Sequence, residues 1–480
     1  MLIWFVILYL MVSIFIGLYA ATKVKSTADY AVAGRSLPIY IVTATVFATW
    51  FGSETVLGIP AKFAEKGLGG VVEDPFGASL CLIFVGMFFA ARLYRMNLLT
   101  IGDYYKQRYG RTVELVTSVC IIISYLGWVA AQITALGLVF NVLSGGEVSR
   151  ETGMIIGTAI VLLYTVFGGM WAVALTDFFQ MILIVAGMLG IAAILASKAG
   201  GVGVVVSHAA AAGKFNFLPD ANLKDILAFI GAAVTLMLGS IPQQDVFQRV
   251  MSAKDEKTAV RGSILGGVLY FFFAFIPMFL VYSAFVMMPE VAKGWAETDT
   301  QMILPNLIMS EGIPLIAQVL FFGALLSAIM STASGTLLAP SVTFTENILK
   351  EFMPHLSDKR FLWTLRAVVV AFAIIVTLFA LKSEKSIYEM VSGAYQVPLV
   401  GAFVPLVFGL YWKPANTNGA MFSIVLGLSS WLLTTYLITD SIVPPQLIGL
   451  GLAIFGMIAG SLLFPSRKHT HTQHKTAAGR

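Results

Sequence analysis

The stretch ATWFGSET, residues 48–55, puts a tryptophan, a glycine, hydroxyls and a carboxylate inside a long apolar run. A carboxylate near mid-membrane costs at least about 2.5 kcal/mol on insertion scales, so Glu54 calls for a wet cavity, a cation or a hydrogen-bonding solute. Closeness to a helix end and interfacial water is the rival reading. The stretch GSIPQQDVFQR, residues 239–249, again combines helix breakers with buried polar groups, placing Gln243 and Gln244 just after Pro242. These amides could meet a solute or satisfy the broken backbone itself. In SAIMSTASGTLLAPS, residues 327–341, Ser331 and Thr332 are adjacent, and Ser334 lies three positions on, on nearly the same helix face. Hydroxyls are hard oxygen donors suited to Na⁺ without losing a proton, although small hydroxylated residues equally serve close helix packing in membranes, which the motif alone favours. Asp177, in GGMWAVALTDFFQ, sits about five residues into its helix, where capping and interfacial solvation compete with binding. Trp50 and Trp128 could stack on a solute or hold an amine through cation–π attraction, against packing as the simpler role. Gln132 is four residues beyond Trp128, on the same face.

The elements that must position these groups are membrane helices. The chain of 480 residues is 58% hydrophobic and only 11% charged, against roughly 25% charged in an ordinary soluble domain. Apolar runs long enough to cross a core about 30 Å thick recur from end to end, leaving no sizeable soluble domain. Hydropathy predicts thirteen helices, near residues 2–21, 38–61, 74–95, 114–143, 152–169, 172–197, 225–248, 262–288, 312–347, 363–381, 387–411, 417–438 and 445–464. The first has no basic leader and no following cleavage site, so it reads as a retained span and not a signal peptide. Cys81 and Cys120 fall within apolar runs and read as packing residues.

With loops assigned to alternate compartments, one set holds 21 of the 30 Lys and Arg, Arg249 among them. The positive-inside rule makes that set cytoplasmic, with the N-terminus outside and the C-terminus inside. The membrane region is expected over 1–466, followed by a cytoplasmic basic tail, 467–480. The alternating histidines of HTHTQHKTAAGR read as polar chain end and not as a metal site. The net charge of +5 reflects loop lysines and arginines and implies no nucleic-acid partner.

The two interrupted helices, second and seventh, lie five apart. That spacing points to a transporter site built on inverted repeats, about 38–197 and 225–411. Broken backbone at membrane depth is tolerated where it lines a cavity or meets a ligand. No HExxH, GxSxG or phosphate-binding loop is present, and nothing here carries a nucleotide domain, so enzymes and ATP-driven pumps are not indicated. A sodium-independent uniporter or channel-like path, and a transporter-like membrane sensor acting with a separate kinase, remain alternative readings.

Over nearly its whole length the sequence resembles the sodium:solute symporter family. The resemblance is carried by AGRSLP, ATWFGSETVLGIPA, LTIGDYYKQRYG, FGGMWAVALTDFFQ, IPQQDVFQRVMSAKD, AIMSTASGTLL and GLYWKPANTNGA, with local similarity to the choline-transporter branch. It implies an all-α fold of the leucine-transporter type with 5+5 inverted repeats in the plasma membrane, coupling Na⁺ to import of a small organic solute. An amino acid, amine, sugar or carboxylate would qualify. It implies a main sodium site from the carbonyls of Ala48, Phe51 and Ala328 with the hydroxyls of Ser331 and Thr332. Members with a second sodium use an aspartate like Asp177 and a serine like Ser334, followed by another serine where this chain has Gly335. The implied solute positions are Trp50, Glu54, Thr55, Trp128, Gln132, Gln243 and Gln396. Where the choline branch carries a further tryptophan, this chain has Gln243. Where the sugar branch carries a glutamine beside its carboxylate, this chain has Thr55.

Overall fold

A computed structural model describes residues 2–353, 355–438 and 441–465, and the expected tail at 467–480 lies outside the described residues. Ten of the described helices are long and apolar enough to cross a membrane, and a bent pair, Leu223–Gly239 with Gln244–Met251, makes an eleventh. Two further features decide how the chain passes between these helices.

The first is a continuous helical run, Arg150–Lys198, of 49 residues. Straight, it would reach roughly 74 Å, more than twice the about 30 Å of a hydrocarbon core. Its direction changes at Gly169, whose φ of 50° and ψ of −141° leave the helical region and suit a residue without a Cβ. The carbonyls of Thr165 and Val166, just before the change, accept from the Tyr30 hydroxyl at 3.2 and 3.0 Å. The expected boundary between helices near 169–172 therefore coincides with the break.

The second is the 39–66 segment. Helix Ile39–Trp50 stops at Phe51, whose ψ of 70° is non-helical, and helical structure resumes from Glu54 to Lys66. In the 223–251 segment the helix stops at Gly239 and restarts at Gln244, bent by 46°. Pro242 has no N–H to offer the preceding turn, and the Gln243 amide turns to Ser240 O at 3.1 Å. Both interruptions lie in the two stretches that the sequence marked.

The remaining expected helices are found to within about five residues, except that 262–288 begins at Glu256 and is divided at Ala274, and the short helices Thr27–Val32, Ile101–Tyr109, Val202–Ala211, Pro289–Thr298 and Ile303–Met309 were not expected. The loops fall into two groups by contact. In one group Thr27 Oγ1 donates to Asp358 at 2.6 Å, Arg35 to Leu98 O at 2.8 Å, and Arg108 to Ala415 O at 2.8 Å. Arg95 pairs with Glu256 at 2.7 Å and Arg111 with Glu351 at 2.5 Å. In the other group Lys214 Nζ donates to Ala64 O at 2.7 Å and Thr300 to Glu65 at 2.8 Å. There Arg150 faces Asp299 at 3.7 Å, and the Ile387 amide donates to Gln301 at 3.1 Å. None of these contacts joins a loop of one group to a loop of the other.

Arg249, counted from sequence among the loop charges, is instead fully buried. Without it the bias is still twenty Lys and Arg against nine. Cys81 and Cys120 are buried free thiols, as packing residues should be.

Candidate functional site

At the break of the 39–66 segment, amides that would continue the helix turn elsewhere. Gly52 N–H donates to Trp50 O at 2.8 Å, and Ser53 N–H donates to Gln132 Oε1 at 3.0 Å. The carbonyls four residues earlier, of Ala48 and Thr49, lose those donors. Into the gap reaches helix Leu315–Phe344: Thr332 Oγ1 lies 3.3 Å from Ala48 O. Two of the five oxygens expected around sodium are thus brought together. The Phe51 carbonyl lies at the break itself, while Ser331, beside Thr332, donates its hydroxyl to Asp177 at 2.6 Å. A hydroxyl that gives its proton to a carboxylate keeps its lone pairs for a cation.

Glu54 follows directly. It is 1% exposed, and its carboxylate accepts from Gln132 Nε2 at 2.7 Å and from Trp128 Nε1 at 3.4 Å. Interfacial water does not solvate it; an amide and an indole do. Gly52 lies at the meeting point of the solute and sodium candidates. A Cβ there would come within 2.7 Å of both Glu54 Oε2 and Thr332 Oγ1, and 3.0 Å of Gln132 Oε1.

Over this polar group lies an aromatic stack. The rings of Trp50 and Trp128 are parallel within 22° at 5.1 Å, and Tyr125 stacks on Trp128 at 5.9 Å. Tyr395, from helix Ile387–Pro398, stands edge-on to both indoles at 5.4 and 5.3 Å. The stack closes the indole faces on one another, so a solute seated between them must part the rings, at the cost of about 0.5–1.5 kcal/mol per aromatic pair. Trp50 Nε1, the Tyr395 hydroxyl, Gln243 Oε1 and Ser240 Oγ are buried without a hydrogen-bond partner among the described residues. All four lie at the two breaks or on the tyrosine facing them.

Other candidates are placed differently. Gln243 Nε2 donates to Ser124 Oγ at 2.9 Å, so only its oxygen is uncommitted. Thr55 donates to Trp50 O at 2.7 Å and meets Tyr270 OH at 3.0 Å, which in turn donates to Asp74. Gln396 accepts from Trp431 Nε1 at 3.0 Å and is not gathered with the Glu54 group. Tyr395, one residue earlier, holds that place, and Tyr125 and Tyr395 were both missed from sequence. Tyr125 lies three residues before Trp128, a spacing that puts both on one face. Tyr395 had no such partner to mark it.

Asp177 is neither a helix cap nor solvated. Fully buried, it accepts from Ser331 and from Thr45, and lies 3.6 Å from Arg249 Nε. Arg249 also faces Asp245, Nη1 to Oδ2 at 3.4 Å, and Asp245 accepts from Tyr125 OH at 2.5 Å. Sequence reading missed this Asp245–Arg249 pair, although i,i+4 opposite charges within an apolar helix were its signal. Ser334 donates to Ser331 O in its own helix at 2.9 Å.

A family model described as the sodium:solute symporter family matches residues 30–427. The human high affinity choline transporter 1 is 28% identical over 442 residues, covering 88% of this chain and 75% of that protein. The sodium/proline symporter of Escherichia coli (strain K12) is 26% identical over 471 residues, covering 94% of this chain and 91% of that protein. A solved structure of a substrate-bound, outward-open Na⁺-coupled sialic acid symporter superimposes with a TM-score of 0.81 at 21% identity, covering 97% of this chain and 98% of that one. The likeness is one of fold, the all-helical leucine-transporter type.

Proposed function

Because this chain belongs to the sodium:solute symporter family, we propose that its two broken segments hold one sodium ion and one small ammonium-bearing solute and carry both inward. The family and the fold make it a multi-pass secondary active transporter. The residue assignments, the solute class, the thirteen-span count, the repeats at 38–197 and 225–411, the N-out topology and the plasma membrane location are our reading.

The observation that carries the coupling is the crowding at Gly52. Glu54 and Gln132, assigned to the solute, and Thr332, assigned to sodium, each place an oxygen within 3.0 Å of where a Cβ on Gly52 would stand. Binding at either position organises the same turn of backbone. Each ligand then favours the conformation the other needs, which is all that thermodynamic coupling requires. Ala48, Phe51 and Ala328 would supply carbonyls, and Ser331 and Thr332 hydroxyls, to the ion. An inward-negative potential adds about 2.3 kcal/mol per charge per 100 mV to its movement.

An ammonium group suits the solute position on two counts. Glu54 supplies a buried carboxylate, and parted indoles of Trp50 and Trp128, with Tyr395, offer aromatic faces worth about 0.5–2 kcal/mol each to a cation. The named relatives, a choline transporter and a proline symporter, both handle solutes with a positively charged nitrogen. Gln243 Oε1 can accept from a solute hydroxyl, and the Tyr395 hydroxyl, also uncommitted, can donate to a solute hydroxyl or carboxylate.

Thermal stability of the purified protein, measured with choline, proline, glucose and pyruvate in sodium and in potassium buffers, tests this reading. An ammonium-bearing solute at a hundredfold excess over its Kd stabilises by about 2.7 kcal/mol. The shift should require sodium. A shift of equal size in potassium would favour the uniporter, and a shift with glucose alone would refute the solute class.

A further inference from the structure

The residues around Asp177 do not fit a second sodium ion, and we infer that the Arg249 guanidinium is a built-in cation holding that place, so that transport runs with one sodium per cycle. The inference rests on the sodium-coupled reading above.

Arg249 is wholly buried at the cytoplasmic end of the second break, between Asp177 and Asp245. Its guanidinium packs closely against Gly335. A Cβ at Gly335 would fall 2.7 Å from Arg249 Cζ and 2.8 Å from Nη1, and would collide outright with Nη2. Any serine at 335 would therefore need the guanidinium to move. The position where a second hydroxyl would help hold an ion is taken by a permanent positive charge.

The donors left over are committed as well. Asp177 accepts from Ser331 on one oxygen and from Thr45 on the other, which also faces Arg249. Ser334 donates to Ser331 O within its own helix and so keeps its oxygen lone pairs, but a lone hydroxyl does not make a cation cage.

Charge points the same way. Asp177 and Asp245 bring two negative charges, and Arg249 returns one. With Glu54 set aside for the ammonium of the solute, the remaining unit charge is matched by one sodium beside Ser331, whose hydroxyl bridges to Asp177. A second mobile cation would be uncompensated in a site with no water-exposed side chain, where desolvation is costly. Arginine, which stays protonated even when buried, is the residue able to serve as a fixed counter-ion.

The test counts ions directly. Equilibrium binding of ²²Na⁺ to the full-length purified protein, in potassium-balanced buffer without solute, should saturate at about one ion per protein, with a Hill coefficient of about 1. Arg249→Lys, which keeps a fixed charge, should still bind one. Arg249→Gln combined with Gly335→Ser should bind two, with the Hill coefficient rising above 1. Two ions on the unaltered protein, or one on a folded double variant, would overturn the inference while leaving sodium coupling intact. No sodium binding to the unaltered protein would instead overturn the reading on which it rests. Arg249→Lys tests the fixed charge should the double variant fail to fold: two ions on it would contradict the assignment, and one would support it.

Discussion

At Glu54 the physical question is how a carboxylate stays inside a membrane protein away from water. Gln132 and Trp128 answer part of it with two hydrogen bonds, and in the proposed function the ammonium of a solute supplies the rest. Removing one partner of a buried charged pair costs about 2–5 kcal/mol. Glu54→Gln should accordingly lower kcat/KM for an ammonium-bearing solute about a hundredfold, read by initial uptake rates, with ²²Na⁺ binding kept. Equal loss of sodium binding would show that Glu54 serves the ion and not the solute. Gly52→Ala makes the complementary prediction. Its methyl would press on both sets of groups at 2.7 Å, and overpacking of about 1–3 kcal/mol should weaken sodium and solute binding together, about tenfold or more. Selective loss of one would separate the two sites that we join. Much of this centre was legible in sequence because glycine, glutamate and glutamine are conspicuous in apolar runs. Arg249 was misplaced for the opposite reason: near a helix end an arginine reads as a loop charge until its burial is known. Gln396 was favoured over Tyr395 because an amide in a span stands out, whereas a tyrosine passes as packing.

Helices deliver these side chains by approaching unusually closely, and glycines permit it. Gly127 brings helix Arg111–Leu143 so near helix Ile387–Pro398 that a Cβ would sit 2.7 Å from Met390 O. Gly239, at the end of helix Leu223–Gly239, is pressed directly on the carbonyl of Tyr395. Helix Ile387–Pro398 is thus approached closely by two glycines, one at Met390 and one at Tyr395. Small residues at such crossings are how membrane helices associate without a hydrophobic drive. A methyl at Gly239 must displace the tyrosine helix, since the atoms nearest it belong to Tyr395 and Leu399 and none to the 39–66 segment. Gly239→Ala should therefore raise the KM for solute about tenfold with sodium stoichiometry unchanged, measured by uptake kinetics and ²²Na⁺ binding. Unchanged KM in a folded protein would remove Tyr395 from the solute site. At this scale the breaks could be read from sequence, since Pro242, Gly52 and Gly169 have local causes. The clamp could not, because which glycine meets which carbonyl depends on crossings that no single helix encodes.

Across the whole molecule the two faces differ. On the face assigned to the cytoplasm, Asn347 Nδ2 donates to both Glu114 and Asp103, and Arg111 binds Glu114 and Asn347 O, closing helix ends together below the Arg249 group. On the opposite face a polar cavity of about 660 Å³ is lined by residues including Glu65, Arg150, Asp299, Gln301 and Glu389. Alternating access would exchange these conditions, with Arg249 and Asn347 released as the inner side opens. In right-side-out vesicles a membrane-impermeant maleimide should label Gln301→Cys and spare Asn347→Cys, and inverted vesicles should show the reverse. The opposite pattern would invert the topology. The central claim is that sodium between the 39–66 break and helix Leu315–Phe344 drives the solute inward, and one measurement bears on it most directly. In proteoliposomes with an inward sodium gradient, labelled choline and proline are followed for accumulation in the unaltered protein and in Ser331→Ala with Thr332→Ala. We predict accumulation of at least one of them above the external concentration, collapse of that accumulation on replacing sodium by potassium, and its loss in the double variant. Undiminished sodium-driven accumulation by the double variant would contradict the account.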